Sequence, residues 1–339
     1  MFQVKAIEPI LMELGMKKRA FLQTVAGAGV AWVAGASRYA NAAAYPAMPI
    51  TLVVPLAPGG SADGIARLVA QGMARGLAQP VVVDNRAGAG GSIGATYVAR
   101  AKPDGHTLLY ATSSHSANMS LYRPAPFDLV KDYAPVTILA RPPLVMVVNR
   151  NLPVSSVPDF IKWAKASGQA NYGSAGNGTS SHLAAALFSK LASLQMQHVP
   201  FKGGSPANLE LLAGRLDVVF APMVEVLPHL ESGKLKALGI AGPTRSTRMP
   251  QAAPIAETLP GYDVQIWHGI MAPAGTDPAI VAVLAREAQK ALQTPEMKKQ
   301  LAADGTEAVG STPLAFANLL PSDIASWAQL VKLSGAVIE

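Results

Sequence analysis

At 339 residues the chain exceeds one ordinary core, and length alone predicts about two domains. Half of the residues are hydrophobic and 14% are charged, with 30 Gly and 27 Pro, which excludes a disordered or collagen-like chain and predicts a turn-rich globule. Zero cysteines exclude a disulfide framework, a thiol nucleophile and an iron–sulfur or Cys-ligated zinc site, and the net charge of +7 is no nucleic-acid footprint: +3 of it sits in residues 1–44 and the rest is scattered.

Those first 44 residues read as a cleaved export signal. Met16-Lys17-Lys18-Arg19 is a basic start, Phe21 to Ala36 an uncharged Ala/Gly/Val stretch, and Ala42-Ala43-Ala44 a small-residue cleavage region. The apolar stretch is about 16 residues, shorter than the roughly 20 of a spanning helix. Lys18-Arg19-Ala20-Phe21-Leu22 resembles a twin-arginine signal with Lys in place of the first Arg, and the general secretory route stays open beside it. Either route predicts a periplasmic protein.

In the remainder, short apolar runs alternate with helical patterns. Ile50 to Val54 is a β-branched strand, Pro58-Gly59-Gly60 a turn, and Ile65, Leu68, Val69 and Met73 recur at helical spacing. Val81 to Val83 leads into Gly88-Ala89-Gly90-Gly91 and a small-residue helix, and Thr107 to Tyr110 is a third strand before a Thr112-Ser113-Ser114 loop. A second unit opens with the strand Leu144 to Val148 and a helix from Phe160 to Ala166 after the start signal Ser155 to Asp159. It continues through the loop Tyr172 to Ser181, a helix from His182, the strand His198 to Phe201, a helix from Pro206 and the strands Val218 to Phe220 and Ala237 to Ile240. A last strand, Gly269 to Ala272, precedes two C-terminal helices, around Ile280 to Leu292 and Pro313 to Leu333. This alternation predicts an α/β fold with parallel or mixed sheets covered on both faces.

The catalytic and cofactor patterns fail on spacing. Gly88-x-Gly90 would need a glycine at 93, where Ile93 sits, and no phosphate loop occurs, so no nucleotide is expected. Gly90-Gly91-Ser92-Ile93-Gly94 matches a nucleophile elbow in letters, but four residues separate it from its strand, and Asp104 and His106 lie too close together to act as orienter and base. The six histidines form no tight pair, so no metal is expected. What recurs is a glycine- and hydroxyl-rich loop feeding a helix: Pro58 to Asp63, Gly88 to Gly94 and Gly173 to Ser181. Each taken singly is an ordinary strand-to-helix connection; together they suit a carboxylate, which converging N–H groups and helix dipoles favour without any basic side chain.

An ordered series of motifs carries a resemblance to the Bug family. Its members are Pro55 to Asp63 with Arg67, Val83 to Gly91, Pro103 to Leu109, Tyr172 to Gly176 with Gly178-Thr179 and His182-Leu183-Ala184, His198 to Gly203, Gly214 to Asp217, Gly233 to Ala237 and Ala272 to Thr276. The resemblance implies a two-lobe type II periplasmic binding protein fold with a hinge and an interlobe cleft, lobe 1 being 45–143 plus 268–339 and lobe 2 being 144–267. It implies a non-catalytic receptor that captures a small carboxylate and delivers it to the membrane permease subunits of a tripartite tricarboxylate transporter, as a monomer and without a cofactor. A sensor kinase as the partner, and an enzyme, are the competing readings. Carried over by motif, the ligand residues are Ala57, Pro58, Gly59, Gly60 and Asp63 on the first loop, with Asp63 alternatively a helix cap, and Ser174, Ala175, Gly176, Thr179 and His182 on the second. Ser113, Lys202 and Gly203 complete the expected set.

Overall fold

The computed structural model describes residues 45–303 and 305–336, so the predicted export signal lies outside the described residues. The chain divides into residues 1–47 and 48–339, and the fold below is that of the second unit.

Its first stretch holds β1 (Ile50–Val54), α1 (Ser61–Leu77), β2 (Val81–Asn85), α2 (Ser92–Ala99), β3 (Thr107–Thr112), α3 (Ser113–Leu121) and β4 (Tyr133–Arg141). After Pro142-Pro143 come β5 (Leu144–Asn149), α4 (Val157–Ser167), β6 (Ala170–Ser174), α5 (Ser180–Leu191), β7 (Met196–Pro200), α6 (Gly204–Leu212), β8 (Val218–Pro222), α7 (Met223–Glu231) and β9 (Leu235–Ile240). The chain closes with β10 (His268–Pro273), α8 (Pro278–Leu292), α9 (Pro295–Ala303), β11 (Glu307–Ala308) and α10 (Pro313–Ser334).

These strands make two mixed sheets. The first has the order β11-β4-β10-β3-β1-β2 and the second β7-β6-β8-β5-β9. In the first, β1 pairs parallel with β2 and β3, while β10 returns antiparallel between β3 and β4. In the second, β6 runs parallel to β7 and β8, and β5 is antiparallel to β8 and β9.

The apolar runs of the second sheet are explained by burial on both faces. Along β5, Met146 and Val148 join Phe160, Tyr172, Phe188 and Phe220 on one side, and Val145 and Val147 join Leu211, Val219 and Met223 on the other. The first sheet packs Val53, Leu109 and Ile138 with Trp267 and Phe316. The signal at 155–159 starts α4 as expected: Ser156 accepts the Asp159 N–H at 3.2 Å, and the helix ends at Gly168 with φ +74°.

The structure departs from the sequence expectation in six elements. The Thr112-Ser113-Ser114 segment is the start of α3, capped through Thr112 and His115, the expected loop from Tyr172 begins inside the strand β6, and β4, α7, α9 and β11 were not anticipated. Pro228 inside α7 masks that helix in the sequence, since proline there removes one intrahelical bond. Because β5 begins at Leu144, the first passage between sheets is confined to Pro142-Pro143.

Candidate functional site

Among the described residues, five helices begin at the wall of one cavity. Gly60, Ser61 and Ala62 bring α1 to it, Thr112, Ser113 and Ser114 bring α3, Thr179, Ser180 and Ser181 bring α5, Gly204 brings α6, and Pro222 and Glu225 bring α7. Two of these helices follow strands of the first sheet and three follow strands of the second. The cavity measures about 60 Å³, room for a few waters, and Val219, Phe220 and Ile266 form apolar wall.

The topology explains the convergence. A helix that follows a strand starts at the strand's carboxyl end, so strands presenting those ends to each other bring their helix N-termini together. Each N-terminus carries unpaired N–H groups and a partial positive charge. No lysine or arginine lines the cavity, so these dipoles are the positive field there.

Several loop amides here are satisfied by the chain itself. The Ala57 N–H donates to the Lys202 carbonyl at 3.1 Å, joining the two loops directly. The Ser61 N–H donates to Glu225 Oε1 at 2.7 Å, the Ala175 N–H to Ser181 Oγ at 2.9 Å, the Gly176 N–H to Ser174 Oγ at 3.1 Å and the Ser180 N–H to Ser114 Oγ at 3.0 Å. Three of these five amides are held by serine hydroxyls.

Two ionisable groups line the cavity. Burial pushes the Glu225 carboxyl upward, against the opposing hydrogen bonds from the Ser61 N–H and Asn208. Burial drives His268 down to about 3, so it is a neutral imidazole, with its Nδ1 2.8 Å from the Tyr110 hydroxyl.

Of the expected ligand residues, Ala57, Gly60, Ser113, Ala175 and Thr179 line the cavity. Pro58, Gly59, Asp63, Ser174, Gly176, His182, Lys202 and Gly203 do not line it. Asp63 does the work of a loop brace: its carboxylate accepts the Gly59 N–H at 3.1 Å, Arg67 Nε at 2.9 Å and Asn85 Nδ2 at 3.0 Å. Gly203 lies in the contact between loops, where a Cβ would sit 2.9 Å from Ala57 Cβ. Ser174 bonds His198 Nε2 at 2.6 Å, and the His182 and His198 rings stack with centroids 4.1 Å apart in a separate depression with Tyr172.

The third glycine loop points elsewhere. Ala89, Ser92 and Ile93 line a different depression, and Asn118 Nδ2 donates to the Gly90 carbonyl at 3.0 Å. Its glycines serve geometry: Gly90 has φ +60°, and a side chain there would run into the Asn177 carbonyl.

Sequence reasoning missed Ser61, Ser114, Ser180, Glu225 and His268 as cavity residues. One signal for Glu225 was available: it is the sole charge in the run Val218 to Leu227. An isolated carboxylate in an apolar stretch has to find donors on folding.

An α/β chain of two mixed sheets with this cavity has the architecture of the periplasmic binding proteins. The structure of the periplasmic binding protein BugD matches it with a TM-score of 0.84 at 29% identity, over 87% of this chain and 100% of that one. MatC from Rhodopseudomonas palustris with bound malate matches with a TM-score of 0.82 at 33% identity, over 85% and 100%. Protein BugT of Bordetella pertussis is 37% identical over 310 residues, 90% of this chain and 95% of that protein. The family model of the tripartite tricarboxylate transporter family receptors matches residues 65–335, and the chain belongs to that family. It is a solute-binding receptor of periplasmic binding protein type, not an enzyme.

Proposed function

We propose that this receptor captures a small carboxylate between two lobes, residues 45–143 with 268–339 and residues 144–267, and hands it to membrane permease subunits in the periplasm. The observation that carries the reading is the convergence of five helix N-termini on one cavity without a basic side chain. The malate held by MatC supports a carboxylate ligand.

The magnitudes suffice. A partly buried helix terminus contributes up to about 2 kcal/mol toward an anion, and a hydrogen bond to a charged group about 1.5–3 kcal/mol. Micromolar affinity needs roughly 8 kcal/mol, which three or four such donors reach before association costs. Ser113, Ser114, Ser180 and Ser181 are the donors nearest at hand, with the amides of Ala57 and Ala175 joining once their internal partners yield. Pro142-Pro143 and the segment before His268 are the two chain crossings about which the lobes would hinge.

A thermal-shift screen of the purified receptor against mono-, di- and tricarboxylates tests the proposal, since a ligand stabilises by RT ln(1 + [L]/Kd). A concentration-dependent rise in Tm with at least one small carboxylate is expected. A flat panel, with no carboxylate retained in equilibrium dialysis, overturns it. Co-purification with the transporter's membrane subunits is the expected partner result; capture of a sensor-kinase ectodomain instead assigns the chain to signalling.

A further inference from the structure

The cavity holds an acidic side chain of the chain itself, both of whose oxygens accept hydrogen bonds. Glu225, in the first turn of α7, reaches across to α1: its Oε1 accepts the Ser61 N–H at 2.7 Å while its Oε2 accepts Asn208 Nδ2 at 3.0 Å. Two glycines leave the space it occupies. A side chain at Gly204 would run into the carboxylate, and a Cβ at Gly60 would stand 3.1 Å from Oε1. Beside it, Ser61 is only 4% exposed and its Oγ has no hydrogen-bond partner, an unspent donor and acceptor on the cavity wall.

This arrangement changes what the site accepts. A carboxylate set among helix N-termini cancels part of the positive field that a second anion would use, and no lysine or arginine restores it. A bare ligand carboxylate placed against Glu225 is repelled, because like charges at close range in a water-poor site disfavour one another. A ligand ammonium placed there is attracted to Glu225 and finds an acceptor in Ser61 Oγ, while its own carboxylate lies toward the serines of α3 and α5.

We propose that Glu225 and Ser61 form an ammonium subsite, so that this receptor selects small carboxylates carrying an amino group over plain di- and tricarboxylates. The inference rests on the receptor reading of the same cavity, and the experiment separates the two.

Isothermal titration of the receptor with three matched pairs, L-alanine and propionate, L-aspartate and succinate, L-glutamate and glutarate, isolates the amino group. In at least one pair the aminated member is expected to bind about tenfold or more tightly. In Glu225→Gln that ratio is expected to fall to about one, through both weaker binding of the amino acid and stronger binding of its plain counterpart. Equal or tighter binding of the plain acids by the unmodified receptor overturns the ammonium subsite while leaving the receptor reading standing. Silence from all six compounds also overturns it, and the wider carboxylate panel then decides the receptor reading by itself. Should Glu225→Gln fail to fold, the ratio in the unmodified receptor is decisive alone.

Discussion

Ser180 and Ser114 belong to helices that follow strands of different sheets, yet the Ser180 backbone N–H donates to Ser114 Oγ at 3.0 Å and their hydroxyls meet at 3.1 Å. Ser113 Oγ lies 3.2 Å from the same Ser180 hydroxyl. The N-terminus of α5 is thus closed by side chains from α3. An N–H capped by a foreign hydroxyl is one that an incoming oxyanion can take over, since helix N-termini favour negative charge.

Ser180→Ala removes both hydroxyl contacts and leaves the backbone bond to Ser114. A net loss of about 1 kcal/mol in unfolding free energy is expected, the usual worth of such a bond. Carboxylate affinity is expected to fall about tenfold, because a ligand loses one hydroxyl donor. Urea unfolding and titration calorimetry measure the two separately; unchanged affinity would show that the serine cluster is structural only.

Gly203→Val targets the loop contact. Gly203 is extended, so valine meets no backbone strain there, but its Cβ would crowd Ala57, whose N–H is bonded to the Lys202 carbonyl. The two loops are expected to be held apart, weakening ligand binding at least about tenfold. Small-angle scattering should then show no ligand-induced compaction, whereas the unmodified receptor is expected to contract on saturation. Compaction in the variant would sink the closure model.

Three buried histidines and the half-buried His198 make the fold acid-sensitive. Burial lowers His115 and His182 to about 4 and His198 and His268 to about 3, the last two well below the ordinary value of 6.5. The folded state resists protonation that the unfolded chain accepts. Stability is therefore full above pH 6.5 and lost progressively as pH falls toward 4, where the folded histidines begin to titrate. Chemical unfolding midpoints measured across that range should fall with pH. His198→Gln should flatten the slope by about one proton, and an identical slope in the variant would refute the assignment to His198.

Trp267→Phe tests the anchor of the last helix. Asp323 on α10 accepts Trp267 Nε1 at 2.9 Å and the Ser116 hydroxyl at 2.6 Å, and burial raises its pKa above the usual range against these bonds. Phenylalanine keeps the ring packed on Phe316 but leaves the half-buried carboxyl short of a donor. A loss of about 1–3 kcal/mol is expected. Thermal unfolding that shifts by less than a degree would show the bond to be dispensable.

Much of the fold was legible locally. The β-branched runs of β1, β2 and β5, the Ser156 start of α4 and the glycine turn before α1 follow from side-chain shape and backbone preference, which neighbours in the chain decide. The helix α7 was hidden because Pro228 breaks its pattern, and packing against α6, β5, β8 and β9 sustains it. The strand β4 was hidden by Pro135 and the polar Thr137, both accommodated beside β10.

Pattern and motif alone gave an α/β chain, three glycine loops that open helices, and a resemblance to a receptor family. The tertiary structure shows how the three loops sort: Gly60 and Ala175 line one cavity, while Ala89 and Ser92 line a separate depression. It alone carried Glu225 into that cavity, 164 positions from the Ser61 N–H it accepts. Periodicity reports which face of an element is apolar, whereas contacts between elements so distant in sequence depend on how two sheets meet, and no local preference encodes that.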